Sequence, residues 1–204
     1  TLANGDTVII NADGTVASVA QEVTTSLLQT LSNPSAYGTS AYDVFGGSVS
    51  VSGDYAIVGA PFEDDAGGTT SGKAYIFNAT TGALLQTLDN PNAYGTSASD
   101  QFGYSVGISG NYAIVGAWPE DDAGGTSSGK AYIFDNNTGA LLHTLNNPNV
   151  YGTSASDQFG RSVAISGDYA IVAAYNEDEA GGTQSGKAYI FNVTTGALVH
   201  TLDN

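Results

Sequence analysis

Asp100-Gln101-Phe102-Gly103-Tyr104-Ser105-Val106-Gly107-Ile108-Ser109-Gly110-Asn111-Tyr112-Ala113-Ile114-Val115-Gly116-Ala117 is the stretch that decides the fold. Its apolar residues recur with a period of two, and Ser109-Gly110-Asn111 is short enough to turn one strand back onto the next. Further along, a loop runs from Trp118 to Ser128 through Glu120-Asp121-Asp122-Ala123-Gly124-Gly125. Lys130 to Phe134 reads as a third strand, Asp135 to Gly139 as a turn and Ala140 to Leu145 as a fourth strand. These pieces make one four-stranded antiparallel meander, which a polar linker from Asn146 to Ser156 carries into the next.

The same text occurs three times. Asp43-Val44-Phe45-Gly46, Asp100-Gln101-Phe102-Gly103 and Asp157-Gln158-Phe159-Gly160 are spaced by 57 residues, as are the runs that begin Gly72-Lys73-Ala74-Tyr75, Gly129-Lys130 and Gly186-Lys187. Residues 89–145 and 146–202 differ at 14 of 57 positions. A period this regular predicts stacked or radially arranged units: repeat 1 at 33–89, repeat 2 at 90–146 and repeat 3 at 147–204. Residues 1–21 lie outside the period and read as an N-terminal β-hairpin adaptor turning at Asp13-Gly14. Residues 22–32 are expected to form the orphan fourth strand of a preceding blade, over Ser26 to Leu31, because Thr24 to Leu31 aligns with Thr81 to Leu88.

Composition narrows the chemistry. The 204 residues hold 4 Lys+Arg against 20 Asp+Glu, a net charge of -16, with neither Cys nor Met. Disulfides, thiolate metal sites and cysteine nucleophiles are therefore impossible. Nucleic acid is excluded as a partner, because binding phosphates requires Lys and Arg to displace counterions. No apolar run reaches the roughly 20 residues of a bilayer span, which excludes direct membrane insertion through a helix. The chain begins at Thr1 without an initiator Met, and is expected to be a processed chain or a piece of a longer one.

Phe102-Gly103-x-Ser105-Val106, Gly110 and Tyr112-Ala113-Ile114-Val115-Gly116-Ala117 together resemble the FG-GAP repeat of integrin-α-type β-propellers. Repeat 1 carries the pattern most fully, as Phe45-Gly46 and Gly59-Ala60-Pro61. The resemblance implies an all-β fold of β-propeller-type four-stranded antiparallel blades, extracellular, acting in adhesion or ligand binding. Many members of that family hold calcium in an acidic loop between the FG and GAP strands. Here that place holds only Ser52-Gly53-Asp54, Ser109-Gly110-Asn111 and Ser166-Gly167-Asp168, a short-turn variant with too few oxygens for a calcium cage. No cofactor is implied.

Two sets of residues remain as candidate sites. The acidic triplets Glu63-Asp64-Asp65, Glu120-Asp121-Asp122 and Glu177-Asp178-Glu179 each precede Ala-Gly-Gly, and read as solvated loops offering at most weak cation contact, with calcium as the ion. Lys73, Lys130 and Lys187 stand near enough to neutralise them as surface pairs, at roughly 0–1 kcal/mol each. Tyr37, Tyr94 and Tyr151, in the linkers, are the candidates for recognition of a glycan or protein ligand. His143 and His200 read as exposed strand positions without a shared metal, and no set of residues has a catalytic pattern.

The expected function is a non-enzymatic structural or binding module of an extracellular or virion-surface assembly, such as a phage tail, fibre or appendage component. A bacterial cell-surface adhesin and an accessory domain of a larger secreted enzyme are the alternatives. Three units leave two sheet faces uncovered, so the partners are expected to be other subunits or the remainder of a larger chain.

Overall fold

The computed structural model describes residues 7–10, 12–14, 16–19, 26–34, 41–66, 68–92, 97–123, 125–149, 154–178 and 182–203, and among these there is no helix. Two compact units divide the chain, Thr1–Thr30 and Leu31–Asn204. In the smaller, β1 (Thr7–Ile10) pairs antiparallel with β2 (Val16–Val19), and Gly14 takes the left-handed φ of +79° that its turn requires. Residues 26–34 adopt no regular structure. The fourth strand expected over Ser26 to Leu31 is thus corrected. Among the described residues no strand pairs with this segment, so its backbone has no ladder to join; Leu27 and Leu28 lie exposed, while Leu31 packs against Val58, Tyr75 and Phe77.

The larger unit consists of three four-stranded antiparallel sheets, each a meander in chain order. The first holds β3 (Ser48–Ser52), β4 (Tyr55–Ala60), β5 (Lys73–Asn78) and β6 (Leu84–Asp89). The second holds β7 (Ser105–Ser109), β8 (Tyr112–Ala117), β9 (Lys130–Asp135) and β10 (Leu141–Asn146). The third holds β11 (Phe159–Ser166), β12 (Tyr169–Ala174), β13 (Lys187–Asn192) and β14 (Leu198–Leu202). A continuous solenoid would run its backbone ladder from unit to unit, whereas here the ladders stop at the edge of each sheet.

The units meet face to face, and the period-two alternation sorts the residues. One face of each sheet, its front, carries Ile57, Ala74, Ile76 and Leu88 in the first unit. It packs on the back face of the second unit, made by Phe102, Val106, Ile108, Val115, Tyr132 and Phe134. The front face of the second unit, Ile114, Ala131, Ile133 and Leu145, packs in the same way on Phe159, Val163, Ile165, Val172, Tyr189 and Phe191 of the third. Each fully buried aliphatic chain contributes about 1.5–3 kcal/mol, so these two seams hold the array together.

Serine hydroxyls line the first strands of the sheets at the first seam. The backbone amides of Val106, Ile108 and Gly110 donate to the Oγ atoms of Ser48, Ser50 and Ser52 at 3.0, 3.3 and 3.4 Å. At the second seam the Gly167 amide donates to Ser109 Oγ at 3.1 Å, and Ser105 Oγ donates to the Gly160 carbonyl at 2.7 Å. Glycine permits the close approach. A Cβ on Gly59 would lie 2.0 Å from the Gly103 oxygen, and one on Gly116 would lie 2.0 Å from the Gly160 oxygen.

Candidate functional site

The acidic triplets are not three solvated carboxylates. The loop after each second strand returns along the edge of the sheet, and its first acid, Glu63, Glu120 or Glu177, is completely buried. Twelve residues on, a tyrosine of the third strand reaches it. Tyr75 OH lies 2.6 and 2.7 Å from the two oxygens of Glu63, and Tyr132 OH lies 2.7 and 2.8 Å from those of Glu120. Tyr189 OH donates to Glu177 Oε1 at 2.6 Å. Lys130 Nζ completes the second cluster at 2.7 Å from Glu120 Oε1, and Lys187 stands 3.4 Å from Glu177 Oε1 and 3.5 Å from Asp203. In the first unit Lys73 pairs instead with Asp89.

The sequence reading of these groups as solvated loops with surface pairs is therefore corrected: the glutamates are buried and hydrogen-bonded, and the lysines are too buried for the surface-pair figure to apply. Burial raises the pKa of all three glutamates, against the lowering effect of the tyrosine hydrogen bonds and the lysine charges. For Glu120 the carboxyl is pushed up to about 7. The same burial, together with the hydrogen bond and the charge of the glutamate, raises the tyrosine hydroxyls further out of the titrating range.

The second acid of each triplet closes its own loop. Asp64, Asp121 and Asp178 accept the amides of Thr70, Ser127 and Gln184 at 2.8, 2.8 and 2.7 Å. Those three residues hold left-handed φ angles of 50–54°, which the carboxylate bond helps to fix. The third acids, Asp65 and Asp122, sit in backbone bridges to Gly68 and Gly125. Glu179 lies outside the described residues, as do the recognition candidates Tyr37, Tyr94 and Tyr151.

A second buried carboxylate, absent from the candidates, opens each unit. Asp100 accepts the side-chain amides of Asn90 and Asn92 at 2.8 and 2.6 Å, and Asp157 accepts those of Asn147 and Asn149 at 2.8 and 2.7 Å. Asp43 takes Asn33 at 2.8 Å. The acid thus fastens the Asn-Pro linker ahead of its own Phe-Gly. The signal was present in the sequence, since Asn and Asp recur in every copy at the same separation.

His143 is not idle on its strand: Nε2 lies 3.0 Å from the Thr194 carbonyl of the next unit, as Gln86 Nε2 lies 2.8 Å from that of Asn137. Arg161 reaches back over the Trp118 ring at 5.2 Å and also covers Tyr175 at 4.7 Å. Every repeated polar group described so far binds within the fold or across a seam. Among the described residues no group of three His, Asp or Glu gathers as a metal site.

These features define a class: an all-β array of propeller-type blades whose charged residues serve as internal fasteners. The FG-GAP repeat model matches the chain three times, over residues 35–77, 92–134 and 152–191, and the chain belongs to the FG-GAP repeat family. Repeats of this family build β-propeller-type binding or structural modules. No curated protein matches the chain.

With the loop acids engaged by backbone amides and hydroxyls, millimolar calcium is expected to raise the melting temperature no more than sodium chloride of equal ionic strength. Calorimetric titration tests this: saturable binding tighter than about 0.1 mM, the range of extracellular calcium modules, would refute it.

Proposed function

We propose that the chain is a non-enzymatic module of an extracellular or virion-surface assembly, holding its partners through repeated contacts on its outer strands. One observation carries this reading. Among the described residues, Glu63, Glu120, Glu177, Asp100 and Asp157 are buried or part-buried and bound within the fold. What each unit offers outward is an aliphatic pair on its fourth strand: Leu84 and Leu85, Leu141 and Leu142, Leu198 and Val199, all 39–44% exposed. Three copies of one contact suit multivalent attachment, in which several weak bonds add to a firm one.

The test has two parts. Antibody against the chain should label intact source cells or particles without permeabilisation, and a signal confined to the interior would refute the proposal. Changing Leu85, Leu142 and Val199 together to Lys should release the protein from the surface fraction while leaving its melting temperature unchanged. Retention of the triple variant would show that the outer strands are not the contact.

A further inference from the structure

Each unit sets one buried lysine between two acyl side chains. Lys73, Lys130 and Lys187 open the third strands, with side chains only 7%, 9% and 10% exposed. On one side stands the buried glutamate, which Lys130 touches at 2.7 Å and Lys187 approaches to 3.4 Å. On the other side is the end of the fourth strand. Lys73 faces Asp89 and Lys130 faces Asn146 in register, and Lys187 lies 3.5 Å from Asp203. In the first unit the ammonium is turned from the glutamate to the aspartate and pairs with it.

An ion pair needs a charge at that facing position, yet the middle unit has Asn146 there. What all three copies keep is a Cγ carbonyl across from a buried amine. Asp and Asn serve alike as acyl groups for an amide. The setting of the first unit suits such a reaction. Glu63 is completely buried, and it feels the charges of both Lys73 and Asp89. Tyr75 OH binds its two oxygens, and the Phe45 ring stands 6.0 Å from that of Tyr75.

We propose that the first unit is a covalent cross-linking site, in which Lys73 Nζ forms an amide with Asp89 Cγ and ties β5 to β6. Glu63 carries the protons. In a low-dielectric interior an ammonium hands its proton to a carboxylate, which leaves a neutral amine and a neutral acid. Glu63 passes that proton to Asp89, whose carboxyl becomes electrophilic. The amine lone pair then forms the C–N bond at Cγ. A second proton leaves the nitrogen for Glu63 and goes on to the departing hydroxyl as the C–O bond breaks. One ammonium and one carboxylate become one amide and one water, and Glu63 ends as it began. Two effects favour the product. The sheet holds the reacting groups opposite one another, which replaces a bimolecular encounter. The amide also removes an ammonium from a site where charge is costly. Asp89, 64% exposed, gives the water a way out. The event happens once in each chain, without turnover, and is independent of attachment through the outer strands.

Mass spectrometry of the purified full chain, folded and then denatured and digested, tests the proposal. Trypsin should fail to cleave after Lys73. Chymotrypsin cuts between Lys73 and Asp89, after Tyr75 or Phe77, and the two resulting peptides should stay joined, lighter than their sum by one water. Asp89→Ala, at an exposed position, should abolish the link. Asp89→Asn should give the same joined peptides with loss of ammonia in place of water. Glu63→Gln should leave Lys73 and Asp89 unlinked in a chain that still melts cooperatively. A free Lys73 amine in the unaltered folded chain overturns the proposal. A link from Lys73 to any other residue, or one that survives in Asp89→Ala, overturns it equally. Full linkage in Glu63→Gln overturns the relay assigned to Glu63.

Discussion

Gly116→Ala should cost about 3 kcal/mol of stability, the upper part of the usual range for overpacking a filled site. The added methyl would lie 2.0 Å from the Gly160 carbonyl oxygen and 2.4 Å from Ser105 Oγ. Neither the backbone of β11 nor the Ser105 hydroxyl, which itself donates to that carbonyl, can give way without opening the seam. Gly59→Ala should act alike at the first seam, against Gly103. The third unit supplies the control. Ala173→Gly, at the uncovered face, should change monomer stability by less than about 1 kcal/mol, the ordinary cost of glycine in a strand. Urea unfolding followed by circular dichroism measures all three, and a loss below about 0.5 kcal/mol for Gly116→Ala would show that the seam yields.

Glu120→Ala should cost about 3–5 kcal/mol, because it removes one partner of a buried pair. Lys130 loses its carboxylate and Tyr132 its acceptor, both in the interior. The intact chain should also show a particular pH dependence. Burial raises Glu120 from 4.5 to about 7, so between those values the folded state holds a proton that the unfolded state has released. Stability therefore falls as pH climbs through that window and is greatest at its acid end. Glu63, Glu177, Asp100 and Asp157 are raised by burial in the same direction and deepen the fall. The melting temperature at pH ~5 should exceed that at pH ~8, and Glu120→Gln, which cannot titrate, should flatten the difference. A melting temperature rising from pH ~5 to ~8 would contradict the assignment.

The strands of the three units could be read from the sequence because alternation, turn glycines and exact repetition agreed with one another. The fate of Glu63, Glu120 and Glu177 was harder to read. An acid run ending in Ala-Gly-Gly has the local composition of a solvated loop, and burial depends on a tyrosine twelve residues away on another strand. A signal did exist: the first acid is Glu in every copy, with Lys ten and Tyr twelve residues on, while the third acid varies between Asp and Glu. Ser26 to Leu31 misled for the opposite reason. Its text matches β6, but a strand is made by the ladder it joins, and among the described residues none pairs with it.

The hydroxyls of Ser48, Ser50 and Ser52 bind main-chain amides of the following unit and none of its side chains. The acceptor belongs to one period and the donor is the peptide bond, which every period possesses whatever its text. Such a joint asks no co-adaptation of its neighbour. A gene that lengthens by tandem duplication gains a new period that already fits on both sides, and later drift in one copy leaves the adjoining joint intact. Gly107, which stands where Ser50 stands in the first copy, carries no hydroxyl, and the second seam is packed without that bond.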